Sequence, residues 1–311
     1  MKSRFGLAIF TCICLVYLTG AADAADGASP SLKASLKGPY LGQTPPGDIP
    51  QPFAVDFIKP PEGFHSSVVF SPDGTEALWT DMRGTSYYTH IVNDLWTEPV
   101  QFAIADESDI GEPFFSIDGS RLYFLSRRQP GNDAANRERI WFAERQTSGW
   151  SEPKLIDSVV ARHPTHWEFS FSDNGNLYFA SELGDSRNIC FAEKNGDSFL
   201  EPVALGENIN GPLREFCPFI ASDESYLIFS RSVPEENNRS DLFISFKDSG
   251  GHWREAINMG DTINTLHNDV CPVVTRDGKY LFYLQVSGKV NQVCWVSASV
   301  IERLRGEQAG H

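Results

Sequence analysis

One short pattern occurs five times in this chain: a polar opening, an apolar run, a turn built on Asp and Gly, and a second apolar run. The copies occupy residues 65–82 (HSSVVFSPDGTEALWTDM), 110–127 (IGEPFFSIDGSRLYFLSR), 166–183 (HWEFSFSDNGNLYFASEL), 215–232 (EFCPFIASDESYLIFSRS) and 269–286 (DVCPVVTRDGKYLFYLQV). Aligned on the residue before the turn (Ser71, Ser116, Ser172, Ala221 and Thr275), they recur at steps of 45, 56, 49 and 54 residues. Periods near fifty residues mean propeller blades or arrays. The copies span nearly all of the 311 residues, which favours one large all-β domain over two small ones.

Each period holds a finer order. After the paired runs comes a third apolar segment, at 86–92, 139–144, 188–193, 241–247 and 292–297, and then a fourth, usually led by Trp and closed by Glu-Pro, as in Trp96-Thr97-Glu98-Pro99 and Trp150-Ser151-Glu152-Pro153. Four antiparallel strands make one blade. In the turns Gly supplies positive φ and Asp bonds the turn backbone. The fourth copy carries Asp223-Glu224-Ser225 instead, so a stiffer or different turn is expected there. The fifth copy runs out after three strands, and residues 52–58 (PFAVDFI) precede the first copy without a blade of their own. The expectation is a five-bladed β-propeller of four-stranded antiparallel blades, with the ring closed by an N-terminal strand and edges thereby removed. A helix is conceivable only at 299–305.

The first residues read as an export signal: Lys2 and Arg4, an apolar run over 5–18, then Ala22-Asp23-Ala24 before the expected cleavage. Residues 25–37 read as a flexible leader and 38–311 as a single propeller domain. No membrane span is expected in the mature chain, which places it in the periplasm or outside the cell. The formal charge of -15 argues against nucleic acid as a partner, because the mean field repels phosphate. Removing the signal leaves Cys190, Cys217, Cys271 and Cys294, in a compartment that permits disulfides. Cys217 and Cys271 sit at equivalent places in adjacent blades and can pair if their Cα atoms come within about 7 Å. Cys190 and Cys294 match apolar positions of the third strands and read as buried free thiols.

At this point the residues carry a likeness. Ser71-Pro72-Asp73-Gly74, residues 215–230 (EFCPFIASDESYLIFS) and Asp277-Gly278-Lys279-Tyr280-Leu281-Phe282-Tyr283 resemble the TolB-type, WD40-like propeller repeat of exported bacterial proteins, and residues 38–47 resemble the opening of a largely uncharacterised branch of that family. The resemblance covers roughly residues 38–300 and implies a propeller outside the cytoplasm; it brings no catalytic residues with it.

In a propeller the inner strands run the same way along the channel, so equivalent positions gather into rings. At the opening of the inner strand the copies supply His65, Ile110, His166, Glu215 and Asp269, with Asp109 beside Ile110; two residues on they supply Ser67, Glu112, Glu168, Cys217 and Cys271. The second strand returns to the same mouth with Asp81, Arg127, Glu182, Arg231 and Gln285. Histidines, carboxylates and arginines thus converge on one face, with Trp167 beside them as a stacking surface. Such residues can equally serve to hydrogen-bond neighbouring blades or ordered water. Trp96, Trp150 and Trp253 recur in register and read as packing. A divalent cation held by Glu112, Glu168, Glu215 or Asp269 is conceivable, since clustered carboxylates raise each other's pKa unless neutralised.

Two functions follow from this mouth. One is a binding module for a cell-envelope protein, a peptide or a glycan, with Arg127 and Arg231 suited to a carboxylate. The other is a carbohydrate-active hydrolase or lyase using Glu112, Glu168, Glu215 and His166 as catalytic groups. No phosphate-cradling loop, zinc-protease motif or nucleophile elbow is present in the sequence.

Overall fold

The computed structural model describes residues 36–105, 109–128, 137–183, 187–233, 239–288 and 291–309. The expected export signal and most of the leader lie outside these residues, as does Asn238 of the sequence Asn238-Arg239-Ser240, which fits a glycosylation site. The chain is a five-bladed β-propeller, and each repeat copy opens one blade. Inner, second and third strands are Val69–Phe70, Glu76–Thr80 and Ser86–Val92 in blade 1, Gly111–Phe115, Arg121–Ser126 and Arg139–Gln146 in blade 2, and Phe169–Phe171, Leu177–Ser181 and Asn188–Ala192 in blade 3. Blade 4 has Glu215–Ile220, Tyr226–Val233 and Arg239–Phe246; blade 5 has Asn268–Val274, Tyr280–Val286 and Asn291–Ser297. All neighbouring strands pair antiparallel.

The hairpins explain why a Ser or Thr precedes the Asp-Gly. Ser71 Oγ donates to Asp73 Oδ1 at 2.6 Å and accepts from Glu76 N at 2.9 Å, while Asp73 accepts from Thr75 N at 3.1 Å. Ser116 with Asp118, and Thr275 with Asp277, repeat this bonding. The fourth copy keeps the turn shape at a conformational cost: Glu224 takes φ +60° where the others have Gly. Its carboxylate accepts from Asn176 Nδ2 at 2.6 Å, Tyr178 Oη at 3.1 Å and Lys247 Nζ at 2.8 Å, fastening blade 4 to blade 3.

Two expectations are corrected. The fourth strands do not begin at the Trp. Leu95–Trp96 and Gly149–Trp150 only cap the ends of the third strands, and the outer pairing resumes after the Glu-Pro at Val100–Gln101 and Lys154–Leu155. Proline has no N–H for the ladder, so it breaks the strand in two. The N-terminal strand is likewise shorter and earlier than 52–58: Gln51–Pro52 pairs with Trp295 and Cys294 as the outer strand of blade 5, and Phe53 N donates to Val293 O at 2.8 Å. Residues 54–58 instead turn, with Ala54 at φ +43° and Ile58 N bonding back to Ala54 O.

Aromatic packing holds this segment. Phe53 lies 4.9 Å from Phe282 and 5.0 Å from Trp295, and Tyr40 lies 5.1 Å from Phe70 of blade 1 and 5.0 Å from Tyr280 of blade 5. Gly42 makes the approach feasible, since a Cβ there would stand 2.4 Å from Lys37 O. The remaining apolar clusters lie between successive blades and include Trp96, Trp150 and Trp253 as packing residues and Cys190 and Cys294 as buried thiols. After the last strand a helix, Ser299–Ala309, packs Val300, Ile301 and Leu304 against blade 5. No helix among the described residues is long and apolar enough to cross a membrane.

Candidate functional site

The polar ring on the propeller axis is made by β-bulges. Register slips on the inner strands between Gly111 and Phe114, Phe216 and Phe219, and Val270 and Val273. Each slip contains a residue followed by proline: Glu112-Pro113, Cys217-Pro218 and Cys271-Pro272. A bulge takes a residue out of the ladder, so the missing proline N–H forfeits no bond. Glu112, Cys217 and Cys271 are left at φ 41°, 49° and 58°, and Glu168 reaches φ 53° at the same place in blade 3 without a proline. Left-handed backbone at such residues costs on the order of 1–3 kcal/mol each and persists only where the surroundings impose it. Here it buries one polar side chain in each of four blades, Glu112, Glu168, Cys217 and Cys271, and Ser67 holds the equivalent place in blade 1 without that backbone.

Within that ring Cys217 Sγ and Cys271 Sγ are 3.3 Å apart as free thiols. The two cysteines anticipated as a pair are thus in contact. A carboxylate oxygen of Glu168 joins them, all three donor atoms lying within 4.8 Å of one another. Burial pushes Glu168 up to about 8, against hydrogen bonds from Cys271 and the Ser67 backbone. Burial raises the Cys217 thiol to about 11; Cys271 is raised well above its ordinary value by its bond to Cys217 and by burial. Glu112 is also pushed well up, by burial first and then by the charges of Glu138 and Glu168. Its carboxyl stands 3.2 Å from His65 Nε2, and burial pulls that imidazole down.

The outer ring does not converge as one site. Glu215 turns to its own blade, where Arg231 Nε donates at 2.9 Å and Gly211 N at 3.2 Å; burial raises Glu215 and Arg231 opposes it. Asp269 accepts from Thr265 N and Oγ1 and from Gln285. His166 Nε2 lies 3.7 Å from Glu182 in blade 3, and Asp109 accepts from Ser126 Oγ and Arg127 N. Arg127 is ion-paired with Glu138, so both arginines suggested for a ligand carboxylate already hold a carboxylate of this chain. Of these outer residues, His65 reaches across to the next blade's ring residue. Trp167 is 38% exposed at this mouth, edge-on to Phe216 and under Arg187, whose Cζ is 4.5 Å from its ring. Glu138 bears electrostatically on His65, Glu112 and His166, and no repeat pattern pointed to it, because it precedes a third strand outside the aligned copies.

Below the polar ring, Val69, Phe114, Phe219 and Val273 form an apolar layer. Above it, with Glu112 and Glu168, they enclose a cavity of about 20 Å³; beneath it a vestibule of about 680 Å³ opens among the Asp-Gly hairpins. The vestibule walls are Phe70, Phe171, Ile220 and Val274, and its rim carries Arg121, Asp173, Lys194, Arg276 and Arg305. The sequence reading directed attention to the other mouth. The alternation of the strands contained the signal, since the apolar residues after the bulge point down the same channel.

No protein-family model matches this chain, and no curated protein matches it in sequence. Solved structures are similar in fold. The endo-arabinase of Bacteroides thetaiotaomicron aligns at 12% identity over 82% of this chain and 97% of its own, with a TM-score of 0.52. The catalytic domain of an alpha-L-arabinofuranosidase from Coprinopsis cinerea aligns at 12% over 81% and 97%, TM-score 0.49. A puromycin-hydrolyzing peptidase of Mycobacterium tuberculosis aligns at 14% over 75% of this chain, TM-score 0.42, and the chain spans 35% of that peptidase's length. The class that the chain's own strand pairing defines is the five-bladed propeller; the likeness to the endo-arabinase is one of fold alone and brings no activity.

Proposed function

We propose that this chain is an exported binding propeller of the TolB-type repeat class that takes an apolar, acid-bearing peptide segment of a partner protein into its vestibule. The observation that carries the reading is the 680 Å³ cavity walled by strand residues of all five blades. Its size and mostly apolar lining with a few charged groups are those of a ligand pocket. Aromatic and aliphatic walls suit peptide side chains better than the hydroxyl-rich faces of a glycan. At the rim Lys194 lies 4.5 Å from the Phe199 ring, and burial together with neighbouring Arg121 lowers its pKa. Arg121 is held by Glu144 at 3.3 Å, so Lys194 is the rim cation suited to a carboxylate. Export rests on the signal-like first 24 residues and would place the protein in the periplasm or outside the cell. A carbohydrate hydrolase acting at Glu112 and Glu168 would need space for a sugar ring, and the cavity those two share has room for about one water.

The test is calorimetric titration with short peptides ending in Leu, Phe or Val, as free acids and as amides. Binding of the acids, weakened tenfold or more by Lys194→Glu and by Val273→Trp, supports the reading. Equal binding of acid and amide, indifference to both substitutions, or new reducing ends from polysaccharides that vanish in Glu168→Gln would overturn it.

A further inference from the structure

We propose that Cys217, Cys271 and Glu168 form a binding site for a soft divalent cation of the zinc class on the propeller axis. The argument begins with chemistry. Two thiols and a carboxyl at mutual distances below 4.8 Å are a compact three-donor set, and all three residues are buried. Thiolate donors select zinc-like ions over calcium or magnesium, which require oxygen shells. Tetrahedral sulfurs at about 2.3 Å from zinc stand about 3.7 Å apart. The thiols, now 3.3 Å apart, need to separate by only a few tenths of an ångström.

A second observation points into the same place. Ser67 Oγ is fully buried, has no hydrogen-bond partner among the described residues, and borders the 20 Å³ cavity beside Glu168. A buried hydroxyl in that position asks for a bound water or ion. Three protein donors with a water completing the tetrahedron is the coordination this ring offers, and Ser67 is placed to bond such a water. Glu112, which bears electrostatically on both thiols, and His65 behind it form the supporting shell. Binding replaces the protons of two thiols and one carboxyl by the ion and releases them to solvent, leaving the sulfurs at their original oxidation state.

The experiment uses the full chain, purified without chelator under reducing conditions and titrated with Co²⁺ and then Zn²⁺. A one-to-one complex with near-ultraviolet thiolate-to-cobalt absorption, bleached by Zn²⁺, is expected. Cys217→Ser and Cys271→Ser each abolish that absorption, Glu112→Gln weakens cobalt affinity about 10–100-fold, and Cys190→Ser leaves it unchanged. Absence of the charge-transfer band in reduced wild-type protein overturns the proposal without depending on any variant folding. A Cys217–Cys271 disulfide in protein recovered from its own compartment, with no bound metal, overturns it as well. Peptide binding in the vestibule is read separately, so either result stands alone.

Discussion

Arg276 on the hairpin of blade 5 and Asp173 on the hairpin of blade 3 form a bidentate pair, Nη1 to Oδ1 at 2.6 Å and Nη2 to Oδ2 at 2.9 Å. The pair reaches past blade 4, and both residues edge the vestibule. Both are partly exposed, and exposed ion pairs contribute about 0–1 kcal/mol. Asp173→Asn is therefore expected to change urea stability by less than about 1 kcal/mol while accelerating association of the acid peptides. Stopped-flow rates at two salt concentrations check this, and unchanged rates would remove the pair from the entry path.

Arg231 and Glu215 make the opposite case. Glu215 is fully buried, so removing only its partner strands a carboxylate in the interior. Arg231→Gln is expected to cost about 3–5 kcal/mol, and adding Glu215→Gln to restore part of it. Denaturant unfolding of the two single variants and the double variant measures the coupling.

Glu224 links stability to pH. Burial alone would raise it, but the bonds from Lys247 and Asn176 prevail and its pKa lies below the ordinary 4.5. A depressed carboxylate contributes stability that is complete above its unfolded value and is lost as pH falls through the folded one. The stability difference between wild type and Glu224→Gln should thus be largest near neutral pH and shrink below about 4.5. A difference that does not vary with pH would contradict this assignment.

Phe53 joins the N-terminal segment to blade 5 through Phe282 and Trp295. Truncating a buried phenylalanine typically costs about 3–5 kcal/mol. Phe53→Ala should approach that figure in thermal or urea unfolding. If residues 38–53 were an appendage, the midpoint would not move.

Much of the scaffold was legible because its determinants are local. A Ser or Thr two residues before Asp, then Gly, specifies one hairpin whatever surrounds it, and the third strands follow from β-branched and aromatic runs. The bulges were less legible. Glu112-Pro113, Cys217-Pro218 and Cys271-Pro272 looked like strand interior, although proline within a strand is itself a sign of a bulge. Grouping by alignment brought Cys217 to Cys271, which share a level on the axis, and placed His65 of the outer ring within reach of Glu112 in the next blade. It failed for Glu215 and Asp269, whose partners Arg231 and Thr265 lie within their own blade and satisfy them locally. Glu138 and Arg187 escaped because they lie in connections that do not repeat.

The layer of Val69, Phe114, Phe219 and Val273 is at once the floor of the small chamber beside Ser67, Glu112 and Glu168 and the ceiling of the vestibule. The axis therefore holds two rooms that share one wall. Enlarging Val273 or trimming Phe219 takes volume from one room and gives it to the other, so a single partition sets the dimensions of both.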